Sequence, residues 1–598
     1  MIFLLFLLAA NLFVTQASAQ QCGRASRKID ASAELAKPGE QIVKSARWNV
    51  PMVIRGLGRL YPYKDVLKTP IIDDPVVYDV GIAGGGQTAL VTALMLKGKK
   101  ILMLEKQNFW GGLASGQVRG GLEYDPGTAY KSPPADFQIK ILKMLGIDWE
   151  RAAIHHPSDT LYIEGGLRLR DGTVEHIFPH FWEDLAVLRK LPATFEMIKF
   201  RMEKDEDAGV IGTQPIEQNK NMMLDRITMQ QYIRDVPEWF ARYVKENASD
   251  TEAAAMYRRF IEEVDGGFIE RSNPMDLVLR HMVNYANSAE GANLDRIGAM
   301  TGANFQLSET GTRYTWQAGT GEVSKHIVKE LQSRVDDKGQ PLVKMIDQAE
   351  VISAEHKRDH VEIVYVKNGQ RYRARARYAP MSMPIDTTLQ VIKNLRDISP
   401  QHYQVMQDIR KEKLFTDYAV VVMFVKGHPA FSKITYDLWP VYKGPIDGRP
   451  TDFISGLWQQ TEGYKHTPDS KYGIISAYVP LGPSMPRTQT ELLRIAERAI
   501  DTMREFSDPI QKQAGEAPIE VEFAEINYWP SSILVPAPGH YTHRAPILNS
   551  PVGERIFINQ SGIGAPSHEE AQYRGIQTAE RILELEKRKK RSGRSRRK

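Results

Sequence analysis

The sequence predicts an α/β fold, in which a Rossmann-type dinucleotide-binding domain is interleaved with a second domain of mixed α+β structure. Three observations support this prediction. A glycine-rich strand–turn–helix pattern occupies residues 77–106, apolar residues recur at helical spacing from 136 to about 310, and β-rich runs follow between 386 and 545. With 598 residues, the chain is long enough to bury two domain cores.

The glycine-rich stretch begins as a strand and continues as a helix. Residues 77–83 have the apolar, β-branched composition of a short buried strand. After them, Gly84, Gly86 and Ala89 occupy the small positions of a G-x-G-x-x-G/A turn. The first glycine permits the tight turn, the second lets a pyrophosphate approach the backbone, and the third small residue lets the helix pack close to the sheet. The helix N-terminus also favours a phosphate.

A second predicted strand, residues 100–104, is followed directly by an acidic residue. Glu105 lies 21 residues after Gly84, where a carboxylate would accept hydrogen bonds from ribose hydroxyls. The same carboxylate disfavours a 2′-phosphate. The pattern therefore argues against NADP and leaves FAD and NAD.

The residues that follow resemble those of a known family. The stretch LEKQNFWGGLASGQVRGGLEYDPGTAY contains an acid, a lysine, a glycine pair and a later D-x-G element. This order resembles the flavin amine oxidase and carotenoid desaturase superfamily, in which E-K/R-x(4,5)-G-G-x-x-x-S/T precedes D/E-x-G and the second glycine pair lies beside the flavin. The resemblance implies FAD as the cofactor. In this first piece the implied FAD contacts are Gly84, Gly86, Ala89, Glu105, Lys106, Gly111, Gly112 and Leu113.

Two later regions resemble the same family. Residues 316–331 and 349–384 resemble its glycine-start helix and adenine-side hairpin, and residues 553–583 resemble its C-terminal flavin-closing strand and helix. The resemblance implies an amine oxidase-like, GR2-type FAD-binding domain with an interleaved substrate domain. The implied FAD contacts in these regions are Val351, Asn559, Ser561 and Glu569.

These pieces divide the chain into alternating segments, and we expect the N-terminal arm to wrap on the surface of the flavin domain. The expected segments are a signal peptide (1–19), the arm (20–74), a first FAD-binding segment (75–135), a helical segment of the substrate domain (136–310), a second FAD-binding segment (311–385), a sheet segment of the substrate domain (386–545), a third FAD-binding segment (546–585) and a basic disordered tail (586–598).

The first 19 residues, MIFLLFLLAANLFVTQASA, predict export. An apolar run precedes the small residues Ala-Ser-Ala, and the run is too short for a comfortable membrane span. We therefore expect the protein to be periplasmic or secreted. Cys22 is the single cysteine, which excludes an internal disulfide and a cysteine-based zinc cluster, and we expect no metal site.

The net charge is dominated by the C-terminus. The formal charge is +5, but residues 587–598, KRKKRSGRSRRK, carry nine basic residues, so the rest of the chain nets −4 by subtraction. A run of like charge predicts a disordered tail that is able to touch anionic surfaces. It does not indicate specific nucleic-acid binding.

Aromatic residues near the C-terminal end of the chain are the candidate substrate contacts. An amine loses hydride from the carbon next to nitrogen only when that nitrogen is neutral, and a dry aromatic pocket lowers the pKa of an amine. The family resemblance implies a ring of the aromatic cage in the stretch INYWPSSILVPAPGHYTH, and a contact with the flavin or a role in proton transfer at the start of the last helix. The candidate catalytic residues are Trp529, Tyr541 and His568.

The sequence departs from the monoamine oxidases at two places. Ser567 and His568 stand where a second cage aromatic is expected, and Val420 stands where many oxidases have a lysine near flavin N5. The segments SPPADFQIKILKMLGID and NQSGIGAPSHEEA look more like the spermidine dehydrogenase branch of the family.

The leading interpretation is an FAD-dependent amine oxidase or dehydrogenase that oxidises an amine or polyamine by hydride transfer to flavin N5. Oxygen or a respiratory carrier would accept the electrons. A desaturase or isomerase of the same fold is the first alternative, and a channel lined by aliphatic residues would favour it. A degenerate flavin-fold protein with a structural or partner-binding role is the second, because fold does not fix function.

Overall fold

The architecture comes from a computed structural model, which leaves the predicted signal peptide at 1–19 and Cys22 outside the described residues. The structure describes residues 35–37, 40–57, 63–128, 134–156, 160–163, 169–170, 173–174, 192–212, 215–219, 221–265, 274–308, 313–316, 319–426, 437–440, 446–455, 472–483, 485–513 and 515–595.

The strands lie mainly in two sheets. In chain order they are β1 (Ile42–Lys44), β2 (Pro51–Arg55), β3 (Ile71–Ala83), β4 (Ile101–Leu104), β5 (Gln117–Arg119), β6 (Leu122–Tyr124), β7 (Ala153–His156), β8 (Thr160–Ile163), β9 (Leu169–Arg170), β10 (Thr173–Val174), β11 (Arg313–Trp316), β12 (Val343–Ile346), β13 (Glu350–His356), β14 (Val361–Lys367), β15 (Gln370–Met381), β16 (Phe415–Lys426), β17 (Asp437–Pro440), β18 (Asp452–Ser455), β19 (Tyr472–Leu481), β20 (Val521–Leu534) and β21 (Ile556–Ile558).

The helices occur between and beside these strands. In chain order they are α1 (Tyr63–Val66), α2 (Gln87–Met95), α3 (Asp136–Met144), α4 (Trp149–Ala152), α5 (Pro192–Asp207), α6 (Met229–Arg234), α7 (Val236–Glu246), α8 (Thr251–Asp265), α9 (Pro274–Tyr285), α10 (Ala299–Ser308), α11 (Gly321–Ser333), α12 (Ile385–Val391), α13 (Leu395–Ile398), α14 (Pro400–Lys411), α15 (Gln489–Gln513), α16 (Ala545–Asn549) and α17 (His568–Ser595).

The first sheet carries the glycine-rich turn. Its strand order is β12–β4–β3–β15–β14–β13, and β21 pairs with β15. The pairs around β3, β4, β12 and β21 are parallel, whereas β13, β14 and β15 form an antiparallel run. Helix α2 follows β3, and α17 packs closely on it, because a Cβ at Gly575 would lie 2.8 Å from the Thr88 carbonyl oxygen. This arrangement confirms the predicted α/β fold class.

The strand predicted at 77–83 is longer in the structure. β3 begins at Ile71, six residues earlier, because residues 71–73 pair with residues 371–373 of β15. Arg373 also holds Asp73 through two hydrogen bonds, at 2.6 and 3.0 Å. The partner strand, which is 300 residues away, extends the strand beyond its apolar stretch.

The second sheet has the order β1–β2–β20–β16–β19–β18–β17–β8. Its central strand β16 pairs antiparallel with β19 on one side and with β20 on the other, and all three come from the β-rich runs after residue 386. One face packs against α15, and the other meets the flavin-side hairpin β5–β6 in a second apolar cluster. The sheet therefore lies between a covering helix and the first domain.

The arm is placed differently from the sequence prediction, which put it on the surface of the flavin domain. Strands β1 and β2 extend the second sheet, and β2 runs parallel to β20. The physical reason is burial on both faces of the sheet, since Met52 belongs to one apolar cluster and Val53 to the other. A wrap on the surface would leave both side chains in water.

The basic tail also differs from its prediction of disorder from residue 586. Helix α17 continues to Ser595, the last described residue. Glu584 pairs with Arg588 one turn later at 2.5 Å, and Lys99 of the first domain pairs with Glu586. These contacts offset the repulsion among the basic residues and extend the helix.

Within the described residues, no helix is both long and apolar enough to cross a bilayer. The same portion of the chain has no group of three or more His, Cys, Asp or Glu side chains arranged to hold a metal ion.

Candidate active site

The glycine turn after β3 leaves space at a helix N-terminus. Gly84 has a φ of 107°, and a Cβ there would lie 2.3 Å from the Ser382 carbonyl oxygen, so only glycine is accommodated. A Cβ at Gly86 would meet nothing within 4 Å. Gly86 is the N-cap of α2, and no side chain caps this end of the helix. Free backbone N–H groups beside open space suit a pyrophosphate. Ala89, the third small position, is fully buried.

Glu105 lies against the same turn. The Gln107 N–H donates to its Oε1 at 2.6 Å, and a Cβ on Gly85 would come within 2.8 Å of its Oε2. Burial raises the pKa of Glu105 to about 7, although hydrogen bonds from the backbone of Gln107 and Gly85 oppose this rise. No salt bridge to Glu105 occurs among the described side chains. The predicted contact Lys106 follows it directly.

The glycine pair after Glu105 packs on the first turn. The Gly111 N–H donates to the Gly85 carbonyl at 2.8 Å, and a Cβ on Gly112 would lie 3.1 Å from the Gly86 Cα. Leu113 follows, and its backbone is so close to Gly127 that a Cβ there would lie 2.5 Å from the Leu113 oxygen. The two glycine elements predicted from sequence are therefore in direct contact, and the D-x-G element rests on them.

A buried hydroxyl lies beside this glycine pair. Ser115 Oγ is buried and has no hydrogen-bond partner among the described residues. A Cβ at Gly111 would come 2.8 Å from the Ser115 Cα, which places the two residues side by side. A buried hydroxyl at this point is suited to bond a ligand. Ser115 lies one residue before the S/T position of the family motif, which Gly116 occupies in this chain, and it is not among the predicted cofactor contacts.

Asp125 ties the D-x-G element to the start of helix α11. Its carboxylate accepts hydrogen bonds from Thr320 Oγ1 at 3.0 Å and from the Thr320 N–H at 3.3 Å. Burial raises the pKa of Asp125 to about 7, although these bonds oppose the rise. The first and second predicted FAD-binding segments thus meet at a buried carboxylate.

Val351 lies on β13, and the backbone just before this strand contacts Glu105. It is buried in β13, two residues after Ala349, whose N–H donates to the Glu105 carbonyl at 2.8 Å. Val351 therefore lies near Glu105, and its place on the adenine side of a cofactor stays a prediction. Its apolar side chain offers a packing surface and no hydrogen bond.

Two predicted cofactor contacts, Asn559 and Ser561, lie just after β21 in the C-terminal segment 553–583, hereafter the closing piece. The Asn559 amide donates to Thr92 at 3.0 Å and to Ser382 at 2.8 Å, and it accepts from Thr578 at 2.9 Å. Its side chain therefore ties β21 to α2 and α17, and its backbone N–H donates to the Met381 carbonyl at 3.0 Å. Ser561 begins the 3₁₀ turn Ser561–Ile563.

Trp529 lies at the junction of the two domains with two further aromatic residues. The Trp529 indole N–H donates to the Pro126 carbonyl at 2.8 Å, and the Tyr478 hydroxyl donates to the Gly127 carbonyl. Phe109 packs edge-on against Trp529, with ring centroids 6.3 Å apart. Trp529, Tyr478 and Phe109, hereafter the aromatic trio, therefore lie beside the segment that rests on Leu113.

Tyr541 contacts a different flavin-binding piece. It is buried, and its hydroxyl bonds Thr301 at 2.9 Å and the Gly564 carbonyl at 3.2 Å. Burial raises its pKa well above the ordinary value. The neighbouring His540 bonds the Ile563 carbonyl at 3.0 Å, and burial lowers its pKa to about 4. Both rings anchor the closing piece, and neither is placed beside Trp529 by any described contact.

His568 begins helix α17 near the dinucleotide turn. Its Nε2 lies 3.1 Å from the Gln572 amide nitrogen, which in turn lies 3.4 Å from Oε1 of Gln87, the first residue of α2. Glu569 is in the same first turn, but the carboxylate that pairs with Arg574 at 2.5 Å is Glu570. The start of α17 thus meets the start of α2.

Two of these site residues were missed by sequence reasoning. Tyr478 carried no local signal, since β19 is one of several apolar runs and only its pairing with β16 brings it to Gly127. Ser115 was not marked by the family motif either, because its S/T position falls on Gly116. The residues present fit a dinucleotide: open space over Gly86, a buried carboxylate at Glu105 and a buried hydroxyl at Ser115.

No protein-family model matches the chain, and no curated protein sequence matches it. Solved structures do match it. A putrescine oxidase bound to putrescine aligns with a TM-score of 0.52 at 14% identity, over 86% of this chain and 100% of that chain. A cyclohexylamine oxidase from Brevibacterium oxydans gives 0.51 at 17%, over 86% and 100%.

A fatty acid isomerase from P. acnes that produces CLA aligns with a TM-score of 0.52 at 13% identity, over 84% of this chain and 98% of that chain. At such identities the likeness concerns the fold alone. The chain therefore has the FAD-binding amine oxidase fold, with parallel and mixed sheets in an interleaved arrangement.

Proposed function

We propose that the chain is an exported FAD-dependent oxidoreductase that oxidises an amine or polyamine. The FAD component is supported by the glycine turn, the Glu105 carboxylate and the fold. Export is supported by the apolar sequence of residues 1–19 alone. The spermidine dehydrogenase branch is supported only by sequence resemblance.

The observation that carries the proposal is the open space over Gly86 at the uncapped start of α2. Free N–H groups there favour the pyrophosphate, and the buried Glu105 carboxylate suits the ribose hydroxyls. Ser115 offers a further polar contact. FAD, when bound, supplies the two-electron redox chemistry, while the protein orients the substrate and excludes water.

The aromatic trio supports an amine as substrate. The Trp529 N–H and the Tyr478 O–H are already bonded to backbone carbonyls. These residues therefore present ring surfaces and not acidic protons. Ring surfaces hold an amine by cation–π contact on entry and favour its neutral form in a dry pocket. The putrescine oxidase and the cyclohexylamine oxidase have a similar fold, and their names say that they act on amines.

Roles for the two other candidate residues follow from their contacts. His568 reaches the uncapped start of α2 through Gln572, and we assign it contact with the flavin or proton transfer there. Tyr541 is fixed by bonds to Thr301 and Gly564. We propose that Tyr541 holds the closing piece in place.

An apolar substrate is the second candidate, because one observation favours it. The face of β16 directed toward the flavin domain carries Val420, Val422 and Phe424, all buried in an apolar cluster. The fatty acid isomerase is also a neighbour in fold. A desaturase or isomerase would use such a wall.

The test is a visible spectrum of the purified chain, residues 20–598, during anaerobic addition of putrescine, spermidine and simple monoamines. Bleaching of the oxidised flavin band by one amine is the expected result, and readmitted oxygen then separates an oxidase from a dehydrogenase. A yellow protein that no amine bleaches would favour the apolar substrate. A colourless protein that cannot be loaded with FAD would contradict the proposal and favour a degenerate site.

A further inference from the structure

The face of β20 that meets the flavin domain carries a polar residue with no described role. Glu525, Asn527 and Trp529 alternate along one face of the strand, while Ile526 and Tyr528 belong to the apolar cluster on the other. The first three side chains therefore point toward the same side of the sheet.

The two outer residues of this row both bond the first FAD-binding segment. Glu525 accepts from Arg119 Nε at 2.9 Å and from the Tyr124 hydroxyl at 2.7 Å. Trp529 donates to the Pro126 carbonyl at 2.8 Å. Asn527, between them, must face the same region of the first domain.

The Asn527 amide nitrogen is buried without a hydrogen bond to any described residue. The residue is 3% exposed, and its Nδ2 has no partner among the described residues. Its cross-strand neighbours are Val420 on β16, which offers no polar side-chain atom, and Arg55 on β2, which carries only donors. A buried amide left without a partner is destabilising, so an acceptor that the described residues do not provide is the simplest explanation.

The position of this amide is at the wall of the candidate active site. It is two residues, about 7 Å along the strand, from Trp529 of the aromatic trio. Trp529 bonds Pro126, and the next residue, Gly127, packs on Leu113 beside the glycine pair. The amide is therefore close to the segment that we assign to FAD.

We propose that Asn527 is a contact residue of this site, whose amide hydrogen-bonds the bound flavin ring or the polar group of the substrate beside it. The inference rests on the proposed function. An amide offers both a donor and an acceptor, which match ring carbonyls and nitrogens as well as an amine nitrogen. An aliphatic chain would leave the amide unsatisfied.

The experiment compares Asn527→Leu with a matched control, Asn304→Leu. Leucine branches at Cγ as asparagine does and removes the amide. Asn304 is equally buried, but its amide donates to the Met300 carbonyl at 2.6 Å and accepts from the Gly212 N–H at 2.8 Å, far along the chain from this wall. The readouts are the unfolding midpoint of the apoprotein, the Kd for FAD from flavin fluorescence, and the Kd for putrescine and spermidine from perturbation of the oxidised flavin spectrum without turnover.

We expect N527L to keep or raise the unfolding midpoint of the apoprotein and to weaken one ligand about tenfold, the loss of one hydrogen bond. A weaker FAD constant assigns the amide to the flavin ring, and a weaker amine constant at unchanged FAD affinity assigns it to the substrate. N304L should lower the midpoint and leave both constants unchanged.

The inference is wrong if N527L lowers the apoprotein midpoint as N304L does while both ligand constants stay unchanged. If no amine perturbs the spectrum of the wild-type protein, the Kd for FAD alone decides whether Asn527 is a contact residue. A wild-type chain that binds no FAD defeats the proposed function. A wild-type chain that binds FAD, with N527L indistinguishable from it, defeats only the inference about Asn527.

Discussion

The carboxylates buried at the domain junction and those buried at the dinucleotide turn have different partners. At the junction, Arg119 is fully buried and donates to Glu40 through two nitrogens at 2.8 Å each, and to Glu525 at 2.9 Å. At the turn, Glu105 and Asp125 accept bonds from backbone N–H groups and a hydroxyl, without a salt bridge among the described side chains. The charges of the junction carboxylates are compensated by arginine side chains, whereas the turn carboxylates are suited to bind a ligand.

The pKa of Glu40 at the junction differs from the pKa values of the two turn carboxylates in the same sense. Burial raises the pKa of Glu40, but hydrogen bonds from Arg119, the Lys37 backbone and Arg55 lower it to about 2. Burial raises the pKa of Glu105 and of Asp125 to about 7, since neutral donors compensate less than a guanidinium does. The contrast indicates that Glu40 is held by its ion pair with Arg119, whereas the pKa of each turn carboxylate is able to change when a cofactor binds.

The largest effect is expected at the junction, for Arg119→Met. This change removes the buried Arg119 guanidinium and leaves Glu40 and Glu525 with Arg55, at 2.5 and 3.4 Å. We expect the free energy of unfolding to fall by about 3 kcal/mol. Urea denaturation of the apoprotein measures it. Arg47→Met is the control, because Arg47 pairs with Asp501 on the surface and should lose at most about 1 kcal/mol. Equal losses in the two variants would contradict the comparison.

The next largest effect is expected at the turn, for Gly86→Val. Gly86 has an ordinary φ of −72° and open space at its Cβ, so the apoprotein should keep its stability. The new side chain occupies the space for the pyrophosphate, and the Kd for FAD should rise roughly 100-fold or more. Flavin fluorescence titration measures the constant.

Gly84→Ala is the matched control for this change. Its φ of 107° and the Ser382 carbonyl at 2.3 Å from the new Cβ predict a loss of apoprotein stability instead. A normal FAD constant in Gly86→Val would show that the pyrophosphate lies elsewhere.

The smallest effect is expected for Glu105→Gln, with a Kd for FAD about tenfold higher. The pKa of Glu105 is raised from 4.5 to about 7, so this residue's contribution to apoprotein stability is full at low pH and is lost as pH rises through 7. Ribose hydroxyls donate to the ionised form. Binding of FAD should therefore release part of a proton between these two pH values.

Calorimetry at about pH 6 in two buffers of different protonation enthalpy measures this release. It should shrink in Glu105→Gln and persist in Glu355→Gln, whose carboxylate pairs with Lys357 on the same sheet. An unchanged release in Glu105→Gln would remove Glu105 from the cofactor site.

The dinucleotide turn could be predicted because its elements are local. Strand, turn, helix and acid fall within residues 77–106. Gly84 is required by its backbone geometry, and Gly86 is required by the space that a pyrophosphate needs. By contrast, Asn559 was predicted as a cofactor contact, but its amide is occupied by Thr92, Ser382 and Thr578, which lie on three other segments of the chain.

The sequence by itself determined the α/β class, the site of the glycine turn and the place of Glu105, because these depend on residues that are neighbours along the chain. Only the tertiary structure decided that the arm belongs to the second sheet and that Tyr478 and Asn527 belong to the domain junction. The reason is strand register. The pairing of β20 with β16 and β2 sets which alternate side chains face the flavin domain, and this pairing joins residues that lie far apart along the chain, such as Arg55 and Asn527.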